Sequence, residues 1–468
     1  MSKIVVTEPF YLGRDDCGYC HGKKDERFAN EYMKSILGPS ESFTIGASIQ
    51  FISTQDYDDF MNMGFRRSGD FLYKTDMLRN CCRYYTIRTN CRYLKVKKNH
   101  RQVINRFIAA ISDNTSPTHN SNKNRKNKPF NLEDMMTAEL NSKRFKTQFQ
   151  PSTFTEEKYE LYKKYQVKVH NDLPEDVSES QFKRFLCDSL FKEEEINGTD
   201  EEWDSLNSWV ENAVNKKNPK AQRLGPTHEC YYLDGKLIAF SVIDFLPSGV
   251  SSVYFVWDPD YAHLSLGTLS GLREILMVEK LSLDYYYLGY YIADCPKMVY
   301  KGQFGGELLD VCNETYYPLT EVEPYIKNSN LFVLGAKEQT QEFHLTSKYP
   351  QSVKTKENTI PLENIVDQIY NQQTFDNAQK TVDTLSKDVK LTDEFPPVVP
   401  GLIPVAQLQE LIDSGNVEQI TMGFYLRNSG KLIYKNFSEM NQSERSSFII
   451  CLRVFGFIKV SRIILVVL

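Results

Sequence analysis

The sequence lacks the signatures of the commonest enzyme classes. It has no G-x-S-x-G nucleophile elbow, no H-E-x-x-H metal helix and no Walker phosphate loop. The Q/R-x-x-G-x-G/A run with which acetyl-CoA-dependent transferases hold a pyrophosphate is also missing, so acetyl-CoA is not the expected donor. Basic charge is in deficit. The 56 Lys and Arg against 61 Asp and Glu leave a formal net charge of −5, which argues against a protein that coats nucleic acid through its whole surface. No N-terminal stretch has the layout of a secretion signal, so the expected setting is reducing: the cytoplasm, with the nucleus as a second compartment. There the ten cysteines read as thiols, metal ligands or core residues, not as a disulfide framework. The most apolar run, FIICLRVFGFIKVSRIILVVL (448–468), is broken by Arg453, Lys459 and Arg462. Each charge is expensive at a bilayer centre, so buried strands or a terminal helix are expected there and a membrane span is not. No internal repeat stands out.

A chain of 468 residues, 41% hydrophobic and 25% charged, has material for two or three globular cores. Its 28 Tyr and 28 Phe suit strands and cores, with a minority available for ligand pockets. Residues 1–110 mix cysteines, glycines and aromatics. The stretch SDNTSPTHNSNKNRKNKPF (112–130) then abandons apolar periodicity and reads as a linker. Beyond it, Tyr159, Tyr162 and Tyr165 recur at helical spacing. Ser178 offers an N-cap to a second helix, with Phe182, Phe185 and Leu186 as its apolar stripe. From 227 to 258 short strands alternate with turns, and Asp234-Gly235 marks a hairpin. A helix and a further strand follow, giving the order strand, strand, strand, helix, strand. Residues 320–395 are polar, and PPVVPGLIPV (396–405) reads as a rigid connector. The expected fold class is α+β: a small cysteine-rich metal-binding domain (1–110), a linker (111–130), a mixed-sheet core of the GNAT-like kind (131–320) and a C-terminal extension (321–468).

Two features carry chemistry. Cys17-Gly-Tyr-Cys20 is a C-x-x-C knuckle, and the adjacent pair Cys81-Cys82 can complete a four-thiolate site for zinc, with Gly18 easing the turn. Neighbouring side chains diverge in extended chain, so an iron-sulfur cluster is an open alternative, as are two unrelated pairs of reduced thiols. His21 and Cys91 are lesser ligand candidates. The second feature is the basic stretch 92–106, with Arg92, Lys95, Lys97, Lys98, Arg101 and Arg106, which suits either phosphate contact or a solvated face.

Several long strings resemble eukaryotic, fungal-like arginyl-tRNA protein transferases: CGYC (17–20), CCRYYTIR (81–88), KYQVKVHND (164–172), SESQFKRFLC (178–187), VSSVYFVWDPDY (250–261) and YYLGYYIADCPKMVYKGQF (286–304). They are spread over most of the chain. Arg83 stands where many relatives have Pro, and the apolar tail after about 430 matches no part of the pattern. The resemblance implies transfer of arginine from arginyl-tRNA to proteins beginning with Asp, Glu or oxidised Cys, whose new N-terminus a ubiquitin ligase then reads. Within it, Asp258 and Asp260 are expected to bind or deprotonate the substrate amine, and Arg79, Arg88, His228 and Lys297 to form a cationic pocket for acidic N-termini. Tyr254, Tyr290 and Tyr300 are candidates for the arginyl group, and Lys95, Lys97, Lys98, Arg101, Lys216, Lys217, Lys220 and Arg223 for tRNA phosphates. A monomer without membrane attachment is expected. The rival readings are another GNAT-type acyltransferase and a metal-stabilised adaptor without catalysis.

Overall fold

The structure, a computed structural model, describes residues 3–20, 42–112, 130–217, 220–326, 331–333, 369, 391 and 395–467. It is mixed α+β, with strands in two mixed sheets. Packing divides the chain into two compact units, Met1–Ile87 with Gly289–Leu468, and Arg88–Leu288. These divisions differ from the linear boundaries expected at 110, 130 and 320, because strands far apart in sequence share one sheet. Residues 113–129 of the expected linker, most of the polar stretch 320–395 and His21 lie outside the described residues.

The first unit begins with β1 (Ile4–Val6), β2 (Phe10–Arg14), β3 (Ser42–Phe51), helix α1 (Thr54–Asn62), β4 (Arg66–Ser68) and β5 (Phe71–Thr75); β6 (Tyr85–Thr89) follows. In β3 the apolar residues Phe43, Ile45, Ala47 and Ile49 recur at the strand period and are all buried. Ser53 caps α1 by accepting from the Asp56 amide at 3.1 Å.

The second unit contains α2 (Lys98–Ile111), α3 (Asp134–Asn141), β7 (Phe145–Pro151), α4 (Glu156–Tyr165), α5 (Trp209–Val214), β8 (Gly225–Leu233), β9 (Lys236–Leu246), β10 (Gly249–Trp257), α6 (Leu266–Lys280) and the start of β11 (Tyr285–Tyr291), whose residues from Gly289 onward are assigned to the first unit. The expected order of three strands, helix and strand is present. Asp234 and Gly235, at φ 51° and 81°, make the left-handed two-residue turn between β8 and β9. Both expected helices form, and each widens at its end into a π turn, Gln166–His170 and Lys183–Cys187, which apolar spacing does not reveal. Strands β7 to β10 pair antiparallel, and β11 joins β10 in parallel. That last pairing covers only Gly249–Ser251 against Tyr285–Tyr287. The register of β10 against β9 then shifts between Ser252 and Tyr254, a bulge that re-aims the second half of the strand. Gly249 is required where β10 meets β11, since a Cβ there would lie 1.9 Å from the Tyr285 carbonyl oxygen.

One buried cation organises this core. Arg273 of α6 binds Glu139 of α3 with two nitrogens at 2.8 and 2.7 Å, donates to Glu229 of β8 and lies over the Trp209 and Tyr231 rings. Beside it, Glu274 accepts from Ser241 and Ser270.

The first unit resumes with β12 (Glu307–Asp310), β13 (Thr315–Pro318), α7 (Val405–Asp413), β14 (Thr421–Leu426), β15 (Lys431–Asn436), α8 (Gln442–Phe455) and β16 (Ile463–Val467). Its sheet runs β15-β14-β16-β1-β3-β5-β4, with β2 also on β3. The apolar tail is therefore a helix and an inner strand, and no helix among the described residues is long and apolar enough to cross a membrane. The three charges in the tail are its fastenings. Arg453 donates to the Ile403 carbonyl at 3.0 Å and to Pro396, Lys459 reaches Asp56 at 3.0 Å and Asp59, and Arg462 reaches Asp56.

Three buried carboxylates surround Arg273, and burial, reinforced by Glu274 and Glu139 and opposed by Arg273, pushes Glu229 up to about 7. A carboxyl raised in the fold binds its proton more tightly there than in the unfolded chain. Its stabilisation is complete below about pH 4.3 and is lost as pH rises through about 7, a term of up to about 3 kcal/mol. Glu229→Gln should flatten this part of the profile, measured as the difference in urea midpoints between pH 5 and pH 8 for the two proteins. Equal pH dependence in both would rule the term out.

Candidate functional site

In the first unit, Cys17, Cys20, Cys81 and Cys82 place their sulfurs within 4.8 Å of one another, with Cys20 and Cys81 3.3 Å apart. Tyr84, whose hydroxyl lies 3.4 Å from the Cys17 sulfur, walls the group together with Tyr290, Ile292 and Cys295. The adjacent pair converges because Cys81 and Cys82 sit on a bend and not in extended chain. Arg83 holds that bend, donating to the carbonyls of Met77, Leu78 (3.1 Å) and Asn80 (2.9 Å), a task Pro in its place has no donor for. Hydrogen bonds from Cys81 and Cys82 hold the Cys17 thiol well below the usual thiol range, and the same contacts push Cys81 above it. Four thiols sharing protons in a closed, largely buried group are suited to trade those protons for a metal ion. Cys91 belongs to the other unit, where its sulfur meets the Ile275 carbonyl oxygen at 3.7 Å.

The second unit brings together a constellation at the free half of β10. Asp258, buried at the strand's end, accepts from Lys164 of α4 at 2.5 Å, Lys236 of β9 at 2.8 Å and the Asp260 amide at 3.0 Å. Lys164 also reaches Asp260 at 2.6 Å, and the Asp260 side chain is 58% exposed. Burial works to raise Asp258, but hydrogen bonds from Lys164 and Lys236 hold it below the usual carboxylate range. An ionised carboxylate held by two ammonium groups is a poor proton acceptor, so Asp258 acts here as an anchor. Just past the bulge, the Tyr254 hydroxyl donates to Gln166 at 3.2 Å and lies 3.4 Å from His170, both on the first π turn. Tyr165, Phe185 and Trp257 form the aromatic wall behind them. Lys164, Lys236, Gln166 and His170 were not singled out from the sequence. Their signal was present, since three of them lie in the string KYQVKVHND.

The residues expected to hold acidic N-termini are not arranged as an open pocket. Arg79 is buried and bound to Asp76 at 2.8 Å and to the Val398 carbonyl at 2.7 Å. Arg88 is buried with its guanidinium 3.7 Å over the Tyr285 ring. His228 is buried, donating from Nε2 to the Leu186 carbonyl at 2.9 Å, with Nδ1 3.1 Å from the Lys158 amine. Both ring nitrogens are thus engaged inside the fold, and neither is presented to a substrate. Lys297 is exposed, as is Tyr300, whereas Tyr290 is buried with its hydroxyl on the Gly64 carbonyl at 3.1 Å. Arg92, Lys95, Lys97, Lys98, Arg101 and Arg106 are all exposed on and before α2, as are Lys216, Lys217 and Lys220 after α5. Helices α2 and α5 both pack against α3 and α6. Arg223 is a correction: it is buried, donating to the Ile196 and Pro226 carbonyls over the Trp203 ring, and so cannot meet a phosphate.

Residues 15–102 match the family described as arginine-tRNA-protein transferase, N terminus, and residues 157–310 match its C terminus. Over 94% of its length the chain is 39% identical to arginyl-tRNA–protein transferase 1 of Saccharomyces cerevisiae, of which it covers 93%. The chain belongs to the arginine-tRNA-protein transferase family. Arginyl-tRNA–protein transferase 2 of Arabidopsis thaliana is 42% identical over 44% of this chain and 32% of that protein. An aspartate/glutamate leucyltransferase of Campylobacter jejuni is 42% identical over 16% of this chain and 31% of its own length. In this arginine-tRNA-protein transferase the four cysteines fall in the N-terminal match, and Lys164, Tyr254, Asp258 and Asp260 in the C-terminal one.

Purified protein should carry one metal ion per chain, and cobalt in its place should give thiolate charge-transfer absorption. Stripping the ion with a chelator should lower Tm by roughly 10 °C, and Cys82→Ala should abolish binding. Full metal content in that variant would exclude the quartet as the site.

Proposed function

We propose that this chain moves arginine from arginyl-tRNA to the N-terminal α-amine of proteins beginning with Asp, Glu or oxidised Cys, marking them for a ubiquitin ligase. The observation that carries the reading is family membership across nearly the whole chain, with three of the family-like strings, KYQVKVHND, SESQFKRFLC and VSSVYFVWDPDY, meeting at the freed half of β10. A parallel neighbour that leaves β10 after Ser251, together with the bulge beside Tyr254, supports a GNAT-like core: the strand's far half is left to meet a donor instead of another strand.

The donor ester is already activated. The substrate nitrogen attacks its carbonyl carbon, the C–N bond forms, the bond to the tRNA ribose oxygen breaks, and the amine's proton ends on that oxygen. An α-amine with a pKa near about 8 needs little help to lose a proton, so the protein's work is positioning and charge stabilisation. Exposed Asp260 receives the incoming ammonium group, and the Tyr254 hydroxyl, positioned by Gln166 and His170, gives up its hydrogen bond to Gln166 to donate to the developing oxyanion. Asp258 fixes Lys164 and Lys236 around them. Lys95, Lys97, Lys98 and Arg101, with Lys216 and Lys217, meet phosphates of the tRNA. The cysteine quartet suits a single zinc ion: tetrahedral zinc–sulfur bonds of about 2.3 Å put sulfurs about 3.8 Å apart, whereas a cluster spreads its thiolates over several irons. Such a closed site supplies structure, not catalysis. We place the protein in the cytoplasm and nucleus as a monomer.

The test is transfer of labelled arginine from charged tRNA to two matched peptides beginning with Asp and with Ala. Transfer to the Asp peptide at least tenfold above the Ala peptide is expected. Well-folded, metal-loaded protein that transfers to neither, or that acetyl-CoA protects against heat, would contradict the reading.

A further inference from the structure

The first unit's sheet ends in a strand that is built to be paired. β15 pairs with β14 from Thr421↔Asn436 to Leu426↔Lys431, and its other edge has no partner among the described residues. Edge strands are usually short, charged or bulged, because an open row of amide and carbonyl groups invites another chain. Here Leu432, Ile433 and Tyr434 stand in succession at the edge, exposed by 45%, 37% and 45%.

The apolar row at the edge is continuous with a buried apolar cluster. Register carries it inward along one face: Tyr434 pairs with Gly423, Gly423 with Ile464, Ile464 with Val5 and Val5 with Phe51, while Leu432 pairs with Tyr425 and Tyr425 with Val466. Gly423 is needed in this row, since a Cβ would come within 3.0 Å of both the Tyr434 ring and the Ile464 side chain. The rim is basic. From Leu426 to Asn436 the chain carries Arg427, Lys431 and Lys435 and no acidic residue, in a protein whose net charge is negative. Lys435 is paired with Glu444, Arg427 and Lys431 are exposed, and Lys3 lies 4.9 Å over the Tyr434 ring.

We propose that the outer edge of β15 binds an extended acidic segment of a partner protein as an added strand. Main-chain hydrogen bonds to the outer edge of β15 would hold it, its apolar residues would extend the Leu432–Tyr434 row, and its carboxylates would meet Arg427 and Lys431. A second copy of this chain is the poorer occupant. It would bring the same three cations to the same edge, and antiparallel pairing centred on Ile433 sets Lys431 against Lys435. Nucleic acid would use the cations but not the backbone edge or the aliphatic row. The surface is independent of the transfer reaction, so failure of either leaves the other standing.

The experiment is fluorescence anisotropy on the full chain with labelled peptides of about ten residues, long enough to span the strand. One alternates Asp or Glu with Val or Ile, a second replaces the acids with Lys, and a third keeps the acids but places Pro at alternate positions. The first should bind with Kd in the tens of micromolar or tighter, and the other two at least tenfold more weakly. The exposed pair Arg427→Glu and Lys431→Glu should weaken the first peptide at least tenfold, and Leu432→Thr with Ile433→Thr should weaken it while preserving strand propensity. Equal binding of the Pro peptide, indifference to both variant pairs, or preferred binding of a single-stranded RNA would overturn the proposal. So would sedimentation of the protein as a dimer that Lys431→Glu dissolves.

Discussion

A carboxylate taken out of water stays charged only if ammonium groups and amides replace the water it has lost, and Asp258 meets that condition with Lys164, Lys236 and the Asp260 amide. The three side chains come from α4, the start of β9 and the end of β10, so the ion cluster joins three elements at one point. It secures the end of β10 on the stretch that β11 no longer supports. The bulge, the π turn carrying Gln166 and His170, and the aromatic wall of Tyr165, Phe185 and Trp257 all depend on that stretch being held still. A free strand end at the same place would give a mobile Tyr254 and no defined site.

Buried charge plays the same part elsewhere. Arg273 gathers Glu139 and Glu229 from two elements of one core, and Arg453, Lys459 and Arg462 pin the C-terminal helix and strand into the other unit. Arg453 is held by backbone carbonyls, whereas in the ion pairs of Arg273, Lys459 and Arg462 losing one partner would strand the other in a medium that cannot solvate it, a cost of about 3–5 kcal/mol. Specific charged contacts therefore decide where apolar segments dock as much as the apolar contacts do.

What was legible in the sequence follows from range. The Asp234-Gly235 hairpin, the Tyr159/Tyr162/Tyr165 helix and the strand, strand, strand, helix, strand order depend on neighbours along the chain, and all are present. The cysteine quartet was legible because C-x-x-C and C-C are spacing motifs. The charges in the tail excluded a membrane span, but not even their sign revealed that Asp56 was the partner. Arg79, Arg88, His228 and Arg223 show the limit from the other side: residue type says that a side chain can bind an anion, and only packing says whether it is already bound. Lys164 escaped notice because its role rests on a carboxylate 94 residues away, and the composite first unit because β1 and β16 meet from opposite ends of the sequence.

The account stands most directly on Lys164, which links buried Asp258 to exposed Asp260. The decisive measurement is kcat/KM for arginine transfer to an Asp-initiated peptide by Lys164→Met, with Lys164→Arg as the charge-preserving control and Tm recorded for both. A fall of about 10- to 100-fold in the methionine variant, partial rescue in the arginine variant and, with buried Asp258 left to Lys236 alone, a Tm lowered by several degrees that the arginine variant restores are predicted. Methionine at 164 with wild-type transfer would contradict the claim that this ion cluster organises the site.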